Sequence, residues 1–148
     1  MKNMTHAPDF LLPDQDNVTH SLGEYKGRWV VLYFYPRDET PGCTTEACAF
    51  RDGRDALKEA GAEVLGVSDD SVDSHKKFAD NHGLNFVLLS DEQAGTIKAY
   101  GAWDEVNKKS LRKTFIINPE GKIAKTYPNV TPEGHFDQVL QDLQTLKG

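Results

Sequence analysis

Short apolar runs alternate along the chain with segments whose apolar residues recur every three or four positions. "WVVLYFY", Trp29 to Tyr35, is continuous, β-branched and aromatic, the pattern of a strand buried on both faces. It is expected to be the central strand. A helix is predicted from Pro41 to Ala60, then a strand over "AEVLGVS" (Ala62 to Ser68), a helix from Ser71 to His82 and a strand over "NFVLLS" (Asn85 to Ser90). After a helical segment near Gln93 to Tyr100, "KTFIIN" and "KIAKTY" read as two strands joined across "PEG", Pro119 to Gly121, where the proline and glycine favour a turn. Pro132 is expected to open a last amphipathic helix carrying Phe136, Val139, Leu140, Leu143 and Leu146.

Strands alternating with helices imply an α/β fold with parallel pairs, and the late hairpin adds an antiparallel edge. The order β-α-β-α-β-α-β-β-α predicts a thioredoxin-like fold with a mixed central sheet flanked by helices. No repeat, low-complexity tract or linker divides the chain, so one domain over residues 1–148 is expected. A chain of this size buries roughly 70% of its unfolded surface, enough for one core.

Apolar residues make up 38% of the chain and charged residues 27%, with a net charge of −6 and no basic block. Nucleic acid is not expected as a partner. No stretch approaches the roughly 20 apolar residues of a membrane span, and the opening "MKNMTHAPDFLLPDQD" carries no apolar run of signal-peptide length. The expectation is a cytoplasmic protein with no membrane partner. Thiols stay reduced there, so the only two cysteines, Cys43 and Cys48, read as reactive or metal-binding rather than as a permanent crosslink.

"TPGC" reads as a helix start: Thr40 suits the N-cap, Pro41 the first helical position, and Cys43 falls at the third. A thiolate there meets free N–H groups and the positive end of the helix dipole, an environment that favours it. Cys43 is therefore the candidate nucleophile. The alternative is a small buried hydrophobe in a core helix. At 100° per residue Ala47, Phe50 and Leu57 lie within about 40° of the direction of Cys43, while Cys48 lies about 140° away. The two Cα atoms of an intact helix are about 8.6 Å apart at this spacing, beyond the roughly 7 Å that a disulfide spans. Any bridge between them requires the first turns to unwind. Gly53, in mid-helix, costs on the order of 1 kcal/mol relative to alanine and is read as easing that opening.

"PRDETPGC" fits the Pro-x-x-x-Thr-x-x-Cys pattern of peroxiredoxins, and "YFYPRDETPGCTTEACAFRD" resembles the subgroup called bacterioferritin comigratory protein or peroxiredoxin Q. The resemblance continues through "VLGVSDDSVDSHKKFADNHGLNFVLLSD" to "YGAW" and "LRKTFIINPEGKI". It implies that Cys43 attacks a peroxide oxygen and becomes a sulfenic acid, which Cys48 resolves as an intramolecular disulfide. It implies hydrogen peroxide and organic hydroperoxides as substrates, no cofactor or metal, and recycling by thioredoxin or a glutaredoxin-like donor. By the same resemblance the Thr40 hydroxyl bonds thiolate and substrate, Pro36 shields the thiolate from water, and Arg112 steadies the thiolate and polarises the O–O bond. Both thiols are local, so a monomer is expected. Without the resemblance Thr40 is an N-cap, Pro36 ends a strand and Arg112 is a solvated edge charge.

"WDEVNKKSLR", Trp103 to Arg112, is shorter than the corresponding loop of some relatives, which makes Arg51 the nearest competitor of Arg112. Its helical angle, about 80° from Cys43, marks it instead as a structural ion-pair residue. Three rival functions fit the sequence less well. A thiol-disulfide oxidoreductase would use Cys-x-x-Cys, whereas four residues separate these cysteines. A metal module would draw on the cysteines and some of His6, His20, His75, His82 and His135, but the spacings are not those of a zinc site. His75 and His82 read as capping or packing. A non-catalytic interaction domain of thioredoxin fold would lack the cysteine, threonine or arginine. Trp29, Tyr33, Phe34 and Tyr35 read as core, and Trp103 is near the site by analogy with the family.

Overall fold

Side chains alternate across a strand, so the central run "WVVLYF" feeds two apolar layers rather than one. The computed structural model describes residues 5–148; residues 1–4 of the N-terminal stretch read above lie outside it. In chain order the elements are β1 (Leu11–Pro13), β2 (Thr19–Ser21), a 3-10 turn (Leu22–Tyr25), β3 (Trp29–Phe34), α1 (Pro41–Glu59), β4 (Ala62–Ser68), α2 (Val72–His82) and β5 (Val87–Ser90). They continue with α3 (Gly95–Ala99), β6 (Trp103–Asp104), β7 (Lys109–Ser110), β8 (Lys113–Ile117), β9 (Ile123–Tyr127) and α4 (His135–Lys147). The main sheet has the order β5-β4-β3-β8-β9. In it β3 runs parallel to β4 and antiparallel to β8, the mixed sheet expected from the sequence.

Val31, Tyr33 and Tyr35 enter one layer, where Phe50 and Leu57 of α1, Phe78 of α2 and Val139 and Leu143 of α4 cover the sheet. Val30, Leu32 and Phe34 enter the other, against Ile97, Tyr100, Phe115 and the N-terminal residues Phe10 and Leu22. The expected single core is thus two clusters divided by the sheet, because both of its faces are covered.

Several boundaries differ from expectation. β3 ends at Phe34, although the Tyr35 N–H still bonds the Val67 carbonyl at 3.0 Å. The helix expected near Gln93–Tyr100 is cut to Gly95–Ala99. α4 begins at His135 and not at Pro132, since Gly134 stands before it with φ +80, in the left-handed region that interrupts a right-handed helix. Two hairpins, β1–β2 and β6–β7, were not evident from periodicity.

Gly53 has a packing reason as well as a flexibility reason. A Cβ there would overlap the Phe136 ring of α4, which itself packs edge-on against Phe50 with centroids 5.9 Å apart. Gly53→Ala therefore forfeits its gain in helix propensity and is expected to destabilise the fold by about 1–3 kcal/mol, the usual cost of overpacking. In a Phe136→Ala background the same change is expected to be neutral or stabilising. A denaturant double-mutant cycle measures both, and equal effects in the two backgrounds would refute the contact.

Candidate active site

The loop that carries the nucleophile is pinned before the helix begins. Pro36, half-buried, has no N–H and ends the ladder that Tyr35 extends. Asp38 is buried: its carboxylate accepts from the Tyr35 hydroxyl at 2.5 Å and from Ser74 Oγ at 2.8 Å, and lies 2.7 Å from His75 Nδ1. His75 Nε2 donates to the Leu89 carbonyl at 2.9 Å. The Asp38 N–H donates to Asp70 at 2.9 Å, and Asp70 accepts from Ser68 Oγ at 2.6 Å. The next residue, Glu39, is held at φ 66. Its carboxylate accepts from Asn81 Nδ2 at 2.6 Å and meets His82 Nε2 at 2.9 Å. One turn at each end of α2 thus grips the loop.

Thr40 is the N-cap by backbone dihedral, and Pro41 occupies the first turn of α1. The side-chain cap expected of Thr40 is not formed. Its hydroxyl donates instead to the Arg37 carbonyl at 2.9 Å, which commits its only proton and leaves its lone pairs as acceptors. The expected hydroxyl-to-thiolate bond is therefore not made in this state.

Cys43 follows in the first turn, 1% exposed, with Ala47 and Phe50 of the same face in its cluster. Arg112, in the short segment between β7 and β8, reaches across to it: Nη2 lies 3.4 Å from Sγ. Nη1 of the same guanidinium donates to Glu46 Oε1 at 2.9 Å. The glycine of "PGC" makes room, since a Cβ on Gly42 would stand 3.1 Å from Arg112 Nη2 and 3.4 Å from Pro132 Cγ. Arg112 thus reaches the Cys43 sulfur and Glu46 and is not a solvated edge charge.

Glu46 was not singled out from the sequence. It is 1% exposed, and its Oε2 has no partner among the described residues. Burial pushes its carboxyl up to about 7, against the opposing pull of Arg112, so the pair is not a permanently ionised salt bridge. Its place three residues after Cys43, about 60° away on the helix, was the available signal. Tyr33, stacked on Phe50 with centroids 4.9 Å apart, also has a buried hydroxyl without a partner among the described residues.

Cys48 is half-buried on the same helix, and both cysteines are free. Arg51 is turned away from Cys43: it pairs with Asp52 at 2.9 Å and donates to the His82 carbonyl at 2.7 Å. Trp103 packs in the layer across the sheet from Cys43. The histidines are dispersed, His20 meeting Asp14 and Glu24, and His135 lying 2.8 Å from Thr114 Oγ1. Among the described residues the group with metal-ligand spacing is Asp38, Asp70 and His75, which includes neither cysteine. Its ligand atoms are engaged in the loop clamp.

The family model described as the AhpC/TSA family matches residues 4–126. This chain belongs to the AhpC/TSA family. Within it the relatives are peroxiredoxin Q and Bcp proteins. A chloroplastic peroxiredoxin Q of Populus jackii is 48% identical over 141 residues, 94% of this chain and 66% of that protein. Peroxiredoxin Bcp of Bacillus subtilis is 40% identical over 146 residues, 95% of this chain and 93% of the relative. The AhpC/TSA chain thus spans about two thirds of the plant protein and nearly all of the bacterial one. Among solved structures, the Xanthomonas campestris bacterioferritin comigratory protein, studied for alkyl peroxide reduction, superposes with a TM-score of 0.88 at 35% identity, over 94% of this chain and 92% of its own.

A lysine cannot reach two acceptors with a planar fork. Arg112→Lys is expected to slow reaction of Cys43 with peroxide by roughly 100-fold to 1,000-fold, the range for loss of one preorganised charge-stabilising donor. Stopped-flow rates on the reduced protein check this, and an unchanged rate would remove Arg112 from the site.

Proposed function

We propose that this chain is a thiol-dependent peroxidase that reduces hydrogen peroxide and organic hydroperoxides, with Cys43 as nucleophile and Cys48 as resolving thiol. The observation that carries the reading is the single guanidinium of Arg112 facing both the Cys43 sulfur and Glu46 at the start of α1. The thiolate attacks the nearer peroxide oxygen. The O–O bond breaks with its electron pair on the departing oxygen, which leaves as water or alcohol once protonated. Negative charge moves from sulfur to that oxygen, and Arg112 faces it throughout. A fixed positive group in a dry pocket needs no reorganisation to follow the charge.

Thr40 offers lone pairs to the peroxide proton, and Pro36 covers the sulfur on the loop side. Holding the peroxide in line converts a bimolecular encounter into an oriented attack. The sulfenic acid on Cys43 is then attacked by Cys48, giving a disulfide and water. Left unresolved it oxidises further, to sulfinic and sulfonic acids. A dithiol donor of thioredoxin or glutaredoxin type returns two electrons and restores both thiols.

The same reading takes residues 1–148 as one catalytic unit, working as a monomer in the cytoplasm. Both thiols on one helix support a cycle within one chain, and a reducing compartment supplies the dithiol donor.

Mass spectrometry and thiol counting after one equivalent of hydrogen peroxide test the proposal. The parent is expected to lose both thiols, Cys43→Ser neither, and Cys48→Ser to stop at a sulfenic acid. If the parent's thiols survive peroxide but exchange with a disulfide substrate, the protein is an oxidoreductase and the peroxidase reading fails.

A further inference from the structure

Glu46 lies between the two cysteines on a helix that must open before they can meet. Unwinding from Gly42 to Cys48 lifts its carboxyl from a place where it is 1% exposed. The move parts Oε1 from Arg112 Nη1, 2.9 Å away, and delivers the partnerless Oε2 to water. We infer that Glu46 is a positioning residue for the resolving step: its buried, half-paired carboxyl binds a proton more readily in the closed helix than in the open one, so closure of the Cys43–Cys48 disulfide is coupled to release of a proton from Glu46 to solvent. This rests on the peroxidase reading above.

The bonds and charges balance. Cys43 sulfenic acid and the Cys48 thiol form the S–S bond and expel water, the two electrons having already passed to the peroxide. The Glu46 O–H breaks separately and its proton goes to solvent. When the dithiol donor returns two electrons and the helix recloses, the carboxyl takes a proton back.

The ionisable groups around Glu46 are Arg112 ahead of β8, Cys43 on its own helix and Tyr33 on β3, while His135 of α4 faces Arg112. Burial is the largest influence and raises the closed-state carboxyl from 4.5 to about 7; Arg112 lowers it by less. A group raised in the closed state stabilises that state fully below its open-state value, and the contribution fades as pH rises through the closed-state value. The closed helix is therefore favoured in acid. From about pH 4.5 to about pH 7 the disulfide form gains up to about tenfold per pH unit beyond what the thiols themselves contribute. Above that window the extra gain stops. Toward pH 5 the sulfenic acid waits longer in a closed helix, and excess peroxide converts more of it to sulfinic acid.

The test is the midpoint potential of the Cys43–Cys48 couple between pH 4.5 and 8.5, in the parent, Glu46→Gln and Glu46→Met. Two carboxyl-free variants are used so that misfolding of one does not end the comparison. The parent's potential is expected to fall more steeply than either variant's below about pH 7, by up to tenfold in equilibrium constant per pH unit, or 29.6 mV for a two-electron couple. Above that pH the lines are expected to run parallel. A purely structural role for Glu46 offsets the potential equally at every pH and leaves the slope unchanged. Parallel lines over the whole range, with the disulfide forming normally, overturn the inference and leave the peroxidase standing. A parent that forms no disulfide with peroxide overturns both.

Discussion

One guanidinium, set between a sulfur and a carboxyl in a nearly closed apolar layer, fixes what the rest of the site must provide. Once the sulfur is ionised, a unit charge pair at 3.4 Å in a medium of effective dielectric about 20 attracts by about 5 kcal/mol before the cost of desolvation is taken off. That attraction exists only if Arg112 arrives desolvated and aimed. Gly42 gives it space, and Glu46 takes Nη1 so that Nη2 is left for the sulfur. A glycine in the first turn costs helix stability, and here the requirement comes from a residue 70 positions later in the chain.

The two helices beside this pocket are built for opposite tasks. α2 grips the loop before Thr40 at both ends, through buried Asp38 with Ser74 and His75 at one and through the exposed Glu39 with Asn81 and His82 at the other. α1 is anchored further along, by Phe50 in the core, by Arg51 on the His82 carbonyl and by Gly53 beneath Phe136. Between Thr40 and Phe50 lie both cysteines and Glu46. That segment is thus bracketed by fixed points on both sides.

Local pattern carried the parts of this design that are local. The apolar run of β3, the Thr-Pro start of α1 and the buried face shared by Cys43, Ala47 and Phe50 follow from period and capping chemistry, and all were readable. The β1–β2 hairpin was not, because strands of three residues with a polar member such as Thr19–Ser21 show no period. The Thr40 hydroxyl was expected to cap its helix or to bond the thiolate, and its proton goes instead to the Arg37 carbonyl of the preceding loop. Arg112 was found through resemblance alone, since nothing in "SLRK" tells that its side chain crosses to α1. Asp38 and Glu46 were missed for the same reason: charged residues in a helix or loop read as solvated until the partner that buries them is known.

The carboxyl of Glu46 is hard to explain as a stabilising feature. Replacing buried ionic groups by apolar ones of similar size is often neutral or favourable, and among the described residues this acid has one oxygen without a partner, as does the buried Tyr33 hydroxyl. Sites where such rules are broken tend to be functional ones. An apolar residue at position 46 would strengthen the packing of α1 on the sheet and hold the sulfenic acid away from Cys48. A fully ionised, well-paired acid would do much the same. A carboxyl left half-satisfied near its neutral point keeps Arg112 aimed while the helix is closed, yet gains hydration as soon as the helix opens. That asymmetry reconciles a rigid pocket for attack with a helix that must then come apart.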